Sequence, residues 1–193
     1  KADLMTQMVG EFPELQGIMG YYYALQAKEP DHVALAIREH YLPRFAGDAL
    51  PTTLEGCALS LADKLDTLVG IFGVNQAPTG DKDPYALRRA ALGVLRIAIE
   101  KELFLDLRFL LQEAIKHYHV KLPNENVLED TLNFILDRLR AWYSAKGISA
   151  DIFAAVHARL PTNPLDFDAR IKAVQHFKTL PEAKSLAAAN KRV

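Results

Sequence analysis

The feature that most constrains this chain is the spacing of its apolar residues, which recur three and four apart in nearly every segment and almost never alternate. Leu107, Leu110, Leu111, Ala114, Ile115 and Tyr118 form one such series, and Leu128, Leu132, Ile135, Leu136 and Leu139 form another. Residues at that spacing stack along one side of an α-helix, and a helix with one apolar side has to bury it. A strand would need alternation at period two, bounded by turn signals. No run of β-branched residues and no Asn-Gly or Asp-Gly pair supplies them. The pattern predicts an all-α protein.

Capping residues mark where the helices begin and end. Thr52 with Glu55, after Pro51, reads as a capping box that opens a helix running to about Val69. Asp83-Pro84 reads as an N-cap and first turn, and Asn163-Pro164 repeats the device. The side-chain oxygen accepts an orphan backbone N–H, and proline has none to leave unpaired. Gly147 after Lys146 reads as a helix stop, with Ser149 capping the next helix. Lys1-Ala2-Asp3-Leu4 reads as mid-helix, and a last helix through Ala187 to Ala189 halts at Val193, as expected of a piece truncated at both ends.

Between Gly70 and Gly80 lie three glycines, Asn75 and Pro78, flanked by strongly helical stretches. A domain boundary is expected there, dividing 1–80 from 81–193. The charge changes sign at the same place. Residues 1–80 carry five Lys or Arg against ten Asp or Glu, and the remainder 18 against 14, behind an overall net charge of −1. A basic half suits a polyanionic partner, although an ordinary solvated surface would carry the same residues.

Half of the 193 residues are hydrophobic, enough for one large core or two small ones. Charges interrupt the apolar stretches before they reach membrane-spanning length, so no membrane partner is expected. No signal-peptide order is present. Cys57 has no partner for a disulfide and sits in the apolar run Cys57-Ala58-Leu59, which predicts a buried thiol. These features together predict a cytoplasmic protein. Gly70, Gly73 and Gly80 fit no phosphate-loop spacing, and no Cys/His pattern suits zinc. His32, His117, His119, His157 and His176 pair with no nucleophile, His117 and His119 being read as two apart on one helix. No catalytic residue, metal site or resident cofactor is expected.

Four sets of residues could carry chemistry. Asp3, His40, Asp63 and Asp66 are of types that hold divalent metals on helices. The pattern resembles that of the HD phosphohydrolases, but Ala2 stands where the histidine of the His-Asp pair would be. The survivors then serve as hydrogen-bonding groups or surface charges. The second set is Lys82, Arg88, Arg89 and Arg96, around a helix start beside a glycine-rich loop. Arg89 and Arg96 are seven apart and share a face, and guanidinium forks match phosphate. Internal Asp–Arg pairs on a solvated helix are the alternative. The third set is Arg138, Arg140, Trp142 and Tyr143, where rings beside arginines could stack unpaired RNA bases or simply fill the core. The fourth is the short terminal run Asn190-Lys191-Arg192.

From Leu61-Ala62-Asp63-Lys64-Leu65-Asp66-Thr67-Leu68, through Gly70-Ile71-Phe72-Gly73 and Pro78-Thr79-Gly80-Asp81-Lys82-Asp83-Pro84, to Ala86-Leu87-Arg88-Arg89-Ala90-Ala91-Leu92-Gly93-Val94-Leu95-Arg96, the sequence closely resembles the beta subunit of bacterial glycyl-tRNA synthetase. Lys1 to Thr6, His40 to Asp48, Arg140 to Tyr143, Asp166 to Arg170 and Ala188 to Val193 carry the same resemblance. It implies an HD-like helical domain over 1–80 and, over 81–193, an anticodon-binding bundle of the arginyl-tRNA synthetase kind. The motif Asp83-Pro84-Tyr85-Ala86-Leu87-Arg88 is similar to the signature of that bundle. The implied role is tRNA binding without catalysis, within a heterotetramer whose alpha subunit uses ATP and magnesium to activate glycine; the alternatives are an architectural helical module for subunit assembly and a residual HD-type metal phosphohydrolase. Lys82, Arg88, Arg89, Arg96, Arg138, Arg140, Lys191 and Arg192 become the RNA-contact candidates, and Asp3, His40 and Asp63 the remnants of an HD site.

Overall fold

The computed structural model describes residues 1–183 and Leu186. The expected last helix, with Lys191 and Arg192, lies outside the described residues. Two short 3₁₀ turns, Ala2–Met5 and Pro13–Leu15, flank α1 (Gln7–Glu11). They are followed by α2 (Ile18–Gln26), α3 (Asp31–Glu39), α4 (Leu54–Gly73), α5 (Leu87–Glu100), α6 (Leu107–Lys116), α7 (Val127–Ala145), α8 (Ala150–His157) and α9 (Pro164–Phe177). Among the described residues there is no strand; Thr79 and Lys82 form an isolated bridge inside the α4–α5 loop. The protein is all-α, as the apolar spacing predicts.

Several helix ends differ from their sequence reading. Residues Ala2–Met5 form a 3₁₀ turn rather than the middle of an α-helix. The cap of α4 is Thr53, whose hydroxyl accepts from the Gly56 N–H at 3.0 Å, and not Thr52. Thr52 is diverted because its N–H and hydroxyl both donate to one oxygen of Glu39. The helix also runs on to Gly73, past Val69. Asn163 caps α9 as expected, accepting from Leu165 and Asp166 with Pro164 at the first turn. Gly147, at φ 78°, follows the end of α7. Ser149 precedes α8 as expected, but its hydroxyl donates to Asp151 instead of accepting a backbone N–H. The helix α6 ends at Lys116, so His117 is its cap residue and His119 lies beyond it.

The largest apolar cluster runs from Cys57, Leu61, Leu65, Leu68 and Phe72 of α4, through Leu87, Val94 and Ile97 of α5, to Phe167 and Ile171 of α9. Residues on both sides of Gly80 therefore share this core. Leu107, Leu111, Leu132, Ile135, Leu136 and Leu139 are buried in it, as their spacing predicts. Cys57 is buried, and burial raises its thiol pKa, in keeping with a structural thiol. The helix α4 is the hub, packed against α3 on one side and α5, α6 and α7 on the others.

The α4–α5 crossing is close because α5 places Gly93 against the buried stem of Lys64. A Cβ at Gly93 would lie 2.9 Å from Lys64 Cε and 3.4 Å from Pro43 Cγ. The overpacking cost of Gly93→Ala, about 1–3 kcal/mol, outweighs the gain of roughly 1 kcal/mol from removing a helical glycine. Thermal unfolding of Gly93→Ala is expected below that of the parent. Gly10→Ala in α1, where a Cβ would meet nothing within 4 Å, is expected to unfold at or above it. Equal melting temperatures for the two variants would contradict the tight crossing.

Candidate nucleic-acid interface

The first turn of α5 is built differently from its sequence reading. Asp83 reaches over a Pro84-Tyr85 turn, and its carboxylate accepts from the N–H groups of Leu87 (2.8 Å) and Arg88 (2.9 Å). Ala86, in the left-handed region at φ 56°, turns the chain into the helix, which starts at Leu87 and not at Pro84. Asp83 still satisfies the orphan donors, but from four residues away.

This start separates the arginines. The Arg88 guanidinium donates to the Gly80 carbonyl and braces the glycine loop. Arg96 is committed: it donates to Glu100 at 2.8 Å and to the Asp48 carbonyl at 3.0 Å, and its side chain is only 11% exposed. Arg89 is exposed, and among the described residues its side chain has no hydrogen bond or ion pair. Lys82 is exposed in the loop nearby. The expected stripe through Arg88, Arg89 and Arg96 is thus one available guanidinium, one loop brace and one internal ion pair.

The set on α7 divides too. Tyr143 is 2% exposed, and its ring stacks on Phe167 at 5.8 Å between centroids. Its hydroxyl donates to Asp168 at 2.8 Å. Burial, then that hydrogen bond, push the phenol well above its ordinary pKa. Trp142 packs against the same core, with the Lys146 ammonium 3.7 Å from its ring centroid. Tyr143 is sealed in the core, and Trp142 is half-buried. Arg138 lies over Phe134 at 5.2 Å and Arg140 over Phe153 at 5.4 Å; Arg140 is exposed and Arg138 is half-buried.

The residues at HD positions are held by neighbours. Asp3 is buried; its carboxylate accepts from the Gly17 N–H at 2.5 Å and the Tyr41 hydroxyl at 2.9 Å. Burial pushes the Asp3 carboxyl up, but these bonds prevail and leave its pKa below the ordinary value. Asp63 pairs with Lys1 Nζ at 2.7 Å, and Asp66 is exposed. His40 is buried with Nδ1 2.5 Å from the Ile37 carbonyl, and burial lowers its pKa. Among the described residues no three His, Cys, Asp or Glu groups converge to hold a metal.

Two groups escaped the sequence reading. Glu39 is 5% exposed, and its carboxylate accepts from the N–H and hydroxyl groups of both Thr52 and Thr53. Lys64 is 7% exposed and donates to the His40 carbonyl, the Leu42 carbonyl and the Ser60 hydroxyl. Burial lowers the Lys64 pKa to about 8. Lys64 and Arg89 both line a cavity of about 380 Å³, with Tyr41, Arg44, Asp63 and Tyr85 around it.

A family model for the glycyl-tRNA synthetase beta subunit matches residues 1–158. The chain belongs to that family. The glycine–tRNA ligase beta subunits of Coxiella burnetii (strain Dugway 5J108-111), Edwardsiella ictaluri and Cronobacter sakazakii are 64%, 61% and 60% identical to it over all 193 residues. The chain spans 28% of the length of these relatives. The matched residues include Pro78 to Arg96, which fold as the α4–α5 loop and most of α5. The available Arg89 lies in that stretch. No helix among the described residues is long and apolar enough to cross a membrane.

Proposed function

We propose that this chain is a tRNA-contacting, non-catalytic segment of the beta subunit of glycine–tRNA ligase. In this reading it supports ATP-dependent attachment of glycine to its tRNA by a cytoplasmic alpha/beta heterotetramer, with ATP and magnesium held by the alpha subunit. Residues 1–80 form the HD-like part, which keeps Asp3, His40 and Asp63 as structural groups, and 81–193 the anticodon-binding bundle. The observation that carries the reading is the exposed Arg89, whose side chain has no hydrogen bond or ion pair among the described residues, beside Arg88 and Lys82. Arginine forks there would hold RNA phosphates without reading sequence.

Titrating glycine tRNA at several salt concentrations tests it. The double variant Arg88→Ala/Arg89→Ala, which removes the available guanidinium and the loop brace beside it, is expected to bind about tenfold or more weakly at low salt, and to lose about one unit from the slope of log affinity against log salt. An unchanged slope would remove these arginines from the interface.

A second reading, an architectural module, is favoured by a different observation. An open apolar groove of about 600 Å³ lies between α4, α6 and the loop preceding α6, lined by Leu54, Leu61, Leu103, Leu105 and Leu110. Leu54 at its rim is 71% exposed, and Phe104 nearby in sequence is 81% exposed. If the groove docks another part of the enzyme, Leu54→Glu will disrupt assembly and leave tRNA affinity intact. Normal assembly of that variant would reject this reading.

A further inference from the structure

We infer that the cavity between α4, α5 and the Tyr41–Arg44 segment seats one phosphodiester of an RNA backbone. The inference deepens the tRNA reading and rests on it.

The charge around the cavity is the first argument. Its walls carry Lys1, Arg44, Lys64 and Arg89 against a single carboxylate, Asp63. That carboxylate is already matched by Lys1 at 2.7 Å. Arg44 shares its fork with Asp48, donating from Nε at 2.9 Å, but remains 62% exposed. Arg89 has no partner among the described residues.

Lys64 supplies the second argument. Its three donors go to two carbonyls and a hydroxyl, none of them charged. A buried ammonium whose hydrogen-bond partners are all neutral is costly, and burial lowers the Lys64 pKa although the Asp63 carboxylate opposes that shift. Its donors are all used, so Lys64 would not ligate an incoming group. It would instead hold the wall of the cavity positive, and an anion placed there would relieve the cost.

The shape is the third argument. The start of α5 contributes Ala86, Arg89 and Ala90 to the wall; the terminal N–H groups of Leu87 and Arg88 are already taken by Asp83, so Arg89 is what this helix offers an anion. A volume of about 380 Å³ admits a phosphate group with its bound water. The hydroxyls of Tyr41 and Tyr85 are engaged with Asp3 and Gln76, which leaves the rings as rigid sides and Arg89 as the principal donor. The two charged oxygens of a phosphodiester can be met by Arg89 and by the exposed part of Arg44 together.

The test uses the chain with glycine tRNA, with inorganic phosphate as a probe at constant ionic strength. Inorganic phosphate is expected to compete with tRNA for the parent chain and to be seen directly by calorimetry. Arg89→Ala should weaken tRNA binding about tenfold and abolish both phosphate effects, while Arg89→Lys keeps part of each. If tRNA binds normally but phosphate neither binds nor competes, and Arg89→Ala changes nothing, this assignment falls and the tRNA reading survives. Phosphate binding that persists in Arg89→Ala means an ion held elsewhere, and overturns it. Phosphate binding without any tRNA binding makes the cavity a free-anion site, which overturns both the RNA assignment and the reading beneath it.

Discussion

Replacing Glu39 with Ala is expected to cost about 3 kcal/mol of folding stability, because a buried acceptor of four hydrogen bonds is lost at once. Glu39 closes α3, and its carboxylate receives the N–H and hydroxyl groups of Thr52 and Thr53 just before α4 begins. It therefore ties the end of one helix to the entry of the hub helix. The fit leaves no slack: a Cβ on Gly56 would run into the Glu39 carboxylate and lie 2.9 Å from the Thr53 hydroxyl. Burial raises the Glu39 pKa, but the four donors outweigh it and hold the pKa below the ordinary value of 4.5. A carboxylate depressed in the folded state stabilises fully above its unfolded pKa. That contribution fades as pH falls through the lower folded value. Urea unfolding should show the parent losing stability on acidification below about pH 4.5 more steeply than Glu39→Gln, which has no proton to take up. If Glu39→Ala unfolds at the parent's urea midpoint, the tie between α3 and α4 is not structural.

The second large effect is at Tyr143. Truncation to Ala should cost about 3–5 kcal/mol, because the ring sits among Phe153, Phe167 and Trp142 with 2% exposure. Tyr143→Phe keeps the ring and loses only the bond to Asp168, for about 1–2 kcal/mol. Asp168 retains Lys172 at 2.6 Å as a partner, which holds the cost of the Phe variant at that level. The two variants also separate packing from base stacking. A core tyrosine predicts that Tyr143→Phe binds tRNA like the parent. Weakened binding by a stably folded Tyr143→Phe would restore Tyr143 to the interface.

Much of the architecture could be read from spacing and caps. The series on α6 and α7 lie in the core as their periods require, and Asn163-Pro164 starts α9 where it should. Cap assignments failed where a distant group intervened. Thr52 looks like the better cap until Glu39, thirteen residues earlier, claims it. Asp83 caps α5 across a turn that depends on Ala86 adopting a positive φ, which alanine rarely signals. The same limit hid the candidate site. Glu39 and Lys64 look like ordinary solvated charges on amphipathic helices, and only tertiary packing buries them. Arg96 looked available because its partners, Glu100 and the Asp48 carbonyl, include one from 48 residues away. Sequence could place Arg88, Arg89 and Arg96 together near one helix start. It could not separate Arg89, which has no partner among the described residues, from the two already engaged.

The central claim is that this segment holds tRNA and takes no part in the chemistry. The most direct measurement is steady-state charging by the complete alpha/beta enzyme carrying Arg89→Ala in the beta subunit, set beside glycine-dependent ATP–pyrophosphate exchange. The account predicts a KM for tRNA raised about tenfold, as loss of one charge-assisted phosphate contact implies, with exchange unchanged. An unaltered KM, or exchange that falls with charging, would contradict it.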